Sequence, residues 1–470
     1  MSDYYLAIDI GASSGRHILG KVDNGIITLN EIHRFTNGIE KVNGHFCWNL
    51  GHLSSEILIG MKKAKEMNKI PRSISIDTWG VDFVLIDDVG NLVGDCISYR
   101  DHRTTDMPEK LSEIISENEL YYKTGIQKQS FNTIYQLMAL KEENPEALKE
   151  AKHFMQIPDY LSYLLTGVIA NEYTNATTTN LVNVMTKEWD WEILEKLKIP
   201  TELFQKELIQ PGIKIGNLLE SVSKEVGFDC NVVTTTSHDT ASAFVAVPAN
   251  DENSVYISSG TWSLLGVENK DPITSHESLK ANFTNEGGYD GTIRYLKNIM
   301  GLWMIQNCRR NWGSLDSYDD LIDLAVAADI NNSAIIDVNA DVFLSPDRMV
   351  TAIKRYCREH CLTVPKTKGE VMLTVYRSLA SNYKESIEEL SEITNKNFTA
   401  INIVGGGSLD NLLNQMTANI TGLPVYAGPT EGTALGNLII QFIADGKIED
   451  ISTAREYIRN SFEIKTFTEQ

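Results

Sequence analysis

The β-branched run Val232–Thr236 ends in Ser237, His238 and Asp239, and the small residues Thr240–Ala243 follow at once. An aspartate at the start of a helix lies near the positive end of the helix dipole, which favours its ionised form. An ionised carboxylate held in place can accept the proton of an attacking hydroxyl, as a kinase requires. The same position also suits an aspartate that only caps the helix. His238 offers a hydrogen bond to a substrate hydroxyl, or is a satisfied polar group between two elements. A hydrolase triad is excluded, because triad members converge from separate segments rather than standing side by side.

Three glycine-rich turns add phosphate chemistry. The apolar strand Tyr4–Ile10 carries Asp9 into Gly11, Ala12, Ser13, Ser14, Gly15 and Arg16. Backbone N–H groups of such a turn converge on anionic oxygens, and Asp9 is placed to hold the hydrated magnesium that accompanies a nucleotide. An ordinary hairpin with an acidic strand end is the alternative. The pattern returns half a chain later, where Val255–Ser259 enters Gly260 and Thr261 and leaves as another apolar strand. Two such hairpins suggest a duplicated architecture with a nucleotide in the cleft between the halves. In the third turn, the strand Ile401–Val404 runs into Gly405, Gly406 and Gly407 ahead of a helix over 409–421. Absent side chains let the backbone approach an adenine or ribose, and the helix start adds favourable polarity. Residues Gly15–Lys21 fit the first half of a P-loop, but Val22 stands where the magnesium-binding Ser or Thr belongs, and the segment alternates as a strand.

These turns need a scaffold. Apolar runs at 4–10, 17–22 and 26–32 predict an antiparallel meander, helical spacing marks 52–67, and 73–77 and 81–86 read as buried strands. The residues 131–140, 158–165, 190–197 and 371–393 have helical spacing, and 428–437 is a small-residue helix start. Three strands, a helix and a further strand describe the α/β ribonuclease-H-like layer of the actin-like ATPases. At 470 residues the chain exceeds what one core accommodates. A boundary at 247–253 therefore predicts domains over 1–247 and 248–470 joined by a short hinge. A net charge of −21 argues against nucleic acid or an anionic membrane as partner, and makes local metal or positive charge necessary for binding ATP. No run reaches the length of a bilayer span, the first residues lack a secretory pattern, and six dispersed cysteines suit reduced thiols, so a cytoplasmic location is expected. Cys357 and Cys361 are spaced to seat a metal or a disulfide, without a second ligand pair for zinc.

Taken in order, Asp9–Arg16, Asp77–Phe83, Tyr99–Asp101, Ser237–Ala241, Ser259–Ser263 and Gly405–Gly407 resemble the FGGY carbohydrate kinases across essentially the whole chain. The blocks Asn175–Thr179 and Leu296–Trp303 resemble the family branch acting on L-rhamnulose rather than those acting on glycerol, xylulose or ribulose. The resemblance implies two ribonuclease-H-like domains, an active site in the cleft between them, and Mg2+-ATP as phosphoryl donor to the sugar's 1-hydroxyl. It assigns Asp239 as general base and Gly80, His238, Asp239, Thr240 and Asn298 to the sugar. Ala12, Ser13, Ser14, Gly15, Arg16, Thr261, Gln306 and Gly406 fall on nucleotide positions. The alternatives are a kinase for a related ketose such as L-fuculose and a nucleotide-driven switch of the actin kind. The sugar-facing base separates the second of these, since a switch ATPase activates only water.

Overall fold

The computed structural model describes residues 3–249, 251–344 and 346–470, and the chain forms two compact units. The first comprises Met1–Ala246, Glu268–Tyr295 and Thr433–Ser461; the second comprises Val247–Val267, Leu296–Gly432 and Phe462–Gln470. The chain first leaves the initial unit between Ala246 and Val247, and Glu268–Tyr295 and Thr433–Ser461 return to it. The hinge expected over 247–253 includes Asn250, which lies outside the described residues.

The sheet of the first unit is built from β1 (Tyr4–Ile10), β2 (Ser14–Asp23), β3 (Ile26–Thr36), β4 (Pro71–Thr78), β5 (Lys214–Asn217) and β6 (Asn231–Val233), in the order β5-β6-β4-β1-β2-β3. β1, β2 and β3 form the antiparallel meander, while β4 joins β1, and β6 joins β4, in parallel. Leu6, Ile8 and Ile10 on β1 and Ile74 and Ile76 on β4 are buried on strands that bury both faces. That is why these segments read as apolar runs rather than alternating ones. On one face, Leu53, Ile57 and Met61 of the helix Leu50–Glu66 join this core, and the Asn49 side chain caps the helix by accepting from the His52 amide at 2.9 Å.

The helix Gly432–Ala444 is pinned to the same sheet. A Cβ on Gly20 would stand 2.6 Å from Leu438 Cδ1, so the glycine lets this helix approach β2. Gln441 Nε2 donates to the Leu6 carbonyl at 3.1 Å, and Asn437 Nδ2 to the Ser75 carbonyl at 3.3 Å. The P-loop-like segment lies within β2, as its alternation indicated.

A second sheet, most of whose residues belong to the second unit, repeats the plan with β7 (Ser254–Ser259), β8 (Trp262–Asn269), β9 (Ile293–Met300), β10 (Ala400–Val404), β11 (Val425–Ala427) and β12 (Lys465–Phe467). Their order is β9-β8-β7-β10-β11-β12, with β7 and β8 antiparallel and β10 parallel to β7. The helix Lys368–Thr394 starts in a capping box of Thr367 and Glu370 and stops where Asn395 turns left-handed at φ +52°. Among the described residues no helix is long and apolar enough to cross a membrane.

Candidate active site

The Ser237–Asp239 segment is held by a carboxylate that sequence reasoning passed over. Buried Glu172 accepts from the Ser237 amide at 3.1 Å and its hydroxyl at 2.5 Å, from the Thr174 amide at 2.8 Å and hydroxyl at 2.6 Å, and from the Asn175 amide at 3.1 Å. Burial pushes its pKa up against the pull of these bonds. Ser237 is thereby committed to structure. The Thr78 amide donates to the Ser237 carbonyl at 2.9 Å, and Thr78 forms a parallel bridge with His238, so this segment extends the line of β6 beside β4. His238, not Asp239, is the residue before the helix Asp239–Val245. Asp239 opens that helix, and its Oδ1 accepts from the Thr240 amide at 2.6 Å and the Thr240 hydroxyl at 3.1 Å.

The Asp239 side chain is about a third exposed, at 32%. Its pKa is raised, chiefly because the surrounding protein strips away water and secondarily because Asp9 is near; His238 and Thr240 oppose the rise. His238 lies between charges: its Nε2 is 3.5 Å from Asp239 Oδ1, and its Nδ1 is 3.2 Å from Glu286 Oε2 and 3.2 Å from Arg294 Nη2. Glu286 and Arg294 are themselves 3.0 Å apart, and Arg294 Nε donates to the Gly287 carbonyl at 2.8 Å. Arg294 is fully buried. Burial works against ionising Glu286, yet Arg294 and His238 hold its pKa below the usual range. Both residues escaped sequence reasoning. The available signal was an Arg within the largely apolar strand Ile293–Met300, where a charge survives only with a partner; Glu286, on the polar strand Thr284–Gly287, offered none.

Gly80 belongs to the same unit. A Cβ there would lie 2.9 Å from the Thr178 side chain, and the next residue, Val81, adopts φ +66° while its amide donates to Thr178 Oγ1 at 3.0 Å. This left-handed residue is why the strand expected over 81–86 starts only at Phe83. Buried Asp82 fastens the turn by accepting from Trp48 Nε1 at 2.6 Å, Trp79 Nε1 at 2.9 Å and Gln136 Nε2 at 2.9 Å. Asn175 Nδ2 reaches the Trp79 carbonyl at 3.4 Å and the Ser237 carbonyl at 3.3 Å, so the Asn175–Thr179 block bridges the Gly80 turn and the His238 segment.

In the first phosphate turn, the Gly11 amide donates to the Ser14 carbonyl at 2.9 Å and closes the loop through Ala12 and Ser13. A Cβ on Gly15 would stand 2.1 Å from the Phe35 ring. Arg16 pairs with Asp9 through Nη2 at 2.8 Å and Nε at 2.9 Å, directly across the β1–β2 register. Asp77 is the β4 neighbour of Asp9; its Oδ2 accepts from Asn437 at 2.6 Å and its buried Oδ1 has no hydrogen-bond partner. Burial, then repulsion from Asp9, raises the Asp77 pKa well above the usual range. No three acidic, histidine or cysteine side chains gather as a metal cage among the described residues. The donor set is therefore one or two carboxylates, which suits a magnesium ion that keeps waters and takes its other ligands from phosphate.

In the second unit, the Thr261 turn, the helix bearing Gln306 and the triple glycine meet at the end of β7. The Leu302 amide donates to the Gly260 carbonyl at 3.0 Å and the Trp303 amide to the Thr261 carbonyl at 3.2 Å, which sets the helix Trp303–Asn311 on the turn. Gly405, at φ +87°, and Gly407 both press on Ser259, where a Cβ would fall 2.9 Å from its carbonyl and 1.9 Å from its Oγ respectively. Nothing lies within 4 Å of a Cβ placed on Gly406. That open backbone face fits a flat group such as adenine. The helix after the triple glycine begins at Asn411 rather than Leu409, and Asp410 caps it by accepting from the Leu413 amide at 3.0 Å. Its N-terminus is thus occupied by the chain's own carboxylate, contrary to the expected polarity toward a ligand. Asn298 stands on β9. The cysteines Cys357 and Cys361 are free thiols, the first buried and the second exposed.

The profile of the "FGGY family of carbohydrate kinases, N-terminal domain" matches residues 4–246, and that of its C-terminal domain matches 255–444. A protein named rhamnulokinase from Oceanobacillus iheyensis is 47% identical over 467 residues, covering 99% of this chain and 98% of its own. One of the same name from Halalkalibacterium halodurans is 49% identical over 465 residues, with the same coverages of 99% and 98%. Among solved structures, a ligand-bound xylulose kinase from Lactobacillus acidophilus aligns with a TM-score of 0.80 at 19% identity, covering 99% of this chain and 94% of its own. Glycerol kinase from Plasmodium falciparum with ADP aligns at 0.81 and 16% identity, covering 100% and 94%. At such identities the two structures establish a common fold.

Proposed function

The chain belongs to the FGGY family of carbohydrate kinases, and from that premise we propose that it phosphorylates the 1-hydroxyl of L-rhamnulose with ATP, giving L-rhamnulose 1-phosphate in rhamnose catabolism. It is a sugar kinase; the substrate and the residue roles are the proposed part. The substrate rests on the proteins named rhamnulokinase, which match nearly end to end. The chemistry rests on one observation above others: a partly exposed carboxylate, Asp239, is set at a helix start beside a histidine that buried charges hold in place.

In this mechanism the sugar hydroxyl loses its proton to Asp239 as its oxygen bonds to the γ-phosphorus and the bond to the leaving ADP oxygen breaks. His238 and Thr240 bind sugar hydroxyls next to Asp239, while Gly80 and Asn298 supply further sugar contacts. The Ala12–Arg16 turn and Thr261 bind phosphate, and Gln306 and Gly406 bind the nucleoside. Asp9 would hold magnesium with help from Asp77, and the ion would neutralise charge on the phosphates. Arg16, paired with Asp9 at 2.8 and 2.9 Å, orients that carboxylate meanwhile.

The test is a panel of L-rhamnulose, L-fuculose, L-xylulose, D-ribulose and glycerol with Mg2+-ATP, followed by ADP release. A site of hydrogen-bonding groups rejects sugars that leave those groups unpaired, by up to about 10⁴-fold. L-Rhamnulose is expected to give the highest kcat/KM. A better rate with another ketose overturns the substrate and leaves the kinase.

A further inference from the structure

Resting on the reading of Thr261, Gln306 and Gly406 as nucleotide residues, we propose that Arg310 is a further binding residue of that site: its guanidinium, held over the Trp303 ring, binds the phosphate groups that ATP and ADP share. Trp303, Gln306 and Arg310 stand at i, i+3 and i+7 of the helix Trp303–Asn311, which puts them on one face. The Leu302 and Trp303 amides set this helix on the second phosphate turn, donating to the Gly260 and Thr261 carbonyls at 3.0 and 3.2 Å. Arg310 Cζ lies 5.0 Å from the centre of the Trp303 ring. The arginine side chain therefore runs back along the helix past Gln306, and it brings its charge to the end that abuts the Thr261 turn.

The neighbouring arginine is committed to structure. Arg309 Nε donates to the Asp316 carbonyl at 2.7 Å and its Nη2 to the Ser314 carbonyl at 3.1 Å, and its guanidinium lies over the Tyr318 ring at 5.0 Å. Arg310 is exposed and, among the described residues, pairs with no carboxylate and makes no side-chain hydrogen bond. In a chain where 63 acidic residues face 42 lysines and arginines, a guanidinium left without an acid keeps its charge for an anion that arrives from outside. Arg16 of the first phosphate turn is already paired, with Asp9 at 2.8 and 2.9 Å. The Trp303 ring takes only the flat face of the Arg310 guanidinium. Its N–H groups, which lie in the plane, stay available as a fork that matches two phosphate oxygens. Stacking also fixes that plane beforehand, so less side-chain freedom is lost when the nucleotide binds.

The experiment measures Mg2+-ADP binding by calorimetry at several KCl concentrations for the wild type, Arg310→Gln, Arg310→Lys and Gln306→Ala. Arg310 is exposed, so its substitution leaves the melting temperature unchanged. Arg310→Gln is expected to weaken ADP by about tenfold or more, the effect of one lost charge-assisted contact. It should also flatten the dependence of Kd on salt, because one screened charge has gone. Arg310→Lys keeps the charge and loses the fork, and falls between the two. In turnover, Arg310→Gln raises KM for ATP and leaves KM for the sugar unchanged. An ADP affinity of Arg310→Gln within about twofold of wild type, well short of a charge-assisted bond, overturns the proposal. A weakened affinity with an unchanged salt slope also overturns it, since the guanidinium then serves the base and not the phosphates. Gln306→Ala isolates the parent reading: a loss there with none in Arg310→Gln removes Arg310 alone, whereas no loss in either variant removes this helix from the nucleotide site.

Discussion

If Asp239 accepts the hydroxyl proton, then Asp239→Asn keeps the side-chain shape and removes the acceptor. The expected loss in kcat is about 10²–10⁴-fold with sugar binding retained, and a loss below about tenfold would contradict the role. The pH dependence has a definite sign. Burial and the nearby Asp9 raise the Asp239 pKa, so the ionised form needed for proton acceptance disappears at a higher pH than for an ordinary aspartate, about 3.9. Wild-type kcat should fall as pH drops through that raised value, and an acid limb at or below about 3.9 would count against Asp239.

At the scale of elements, the three glycines after β10 differ in what surrounds them. Gly407 leaves room for Ser259, with a would-be Cβ 1.9 Å from its Oγ, whereas Gly406 faces open space. Gly407→Ala should therefore destabilise the protein by about 1–3 kcal/mol, the usual cost of overpacking. Gly406→Ala should leave the melting temperature unchanged and raise KM for ATP by intruding on the ligand face. Thermal unfolding and ATP kinetics on the two variants separate these outcomes. A Gly406→Ala enzyme with normal ATP kinetics would move the nucleoside elsewhere. Around Asp239, Glu172 likewise positions the segment through Ser237 and takes no part of the partly exposed Asp239 carboxylate.

Across the whole molecule, the first unit depends on residues from the far end of the chain. Leu438 fills the space left by Gly20, and Asn437 and Gln441 bond to backbone of β4 and β1. A chain ending at residue 431, or one comprising only 1–247, should therefore fail to show a cooperative unfolding transition. Leu438→Asp in the full chain is expected to lower stability by several kcal/mol, because it buries an unpaired charge against the sheet. Differential scanning calorimetry decides both, and a cooperative transition of normal enthalpy for residues 1–247 alone would show that the last helices are dispensable.

The sequence alone determined the elements whose signal is local. Buried parallel strands such as Tyr4–Ile10 appear as apolar runs, and Gly/Ser turns announce themselves by composition, so both hairpins, the triple glycine and the doubled plan were legible. The ordered motifs carried the family, since each needs its residue type at its own place. The partners of those motifs were decided only by tertiary structure. Glu172 meets Ser237, Arg294 meets His238, and Asn437 meets Asp77 across 65, 56 and 360 residues of chain. A buried charge looks the same in sequence whether its partner exists or not, and only the fold supplies the partner that makes its burial affordable. For the same reason Thr433–Ser461 could not be read as part of the first unit, whereas Asp410, capping its helix through the amide three residues on, is a local signal that the sequence does carry.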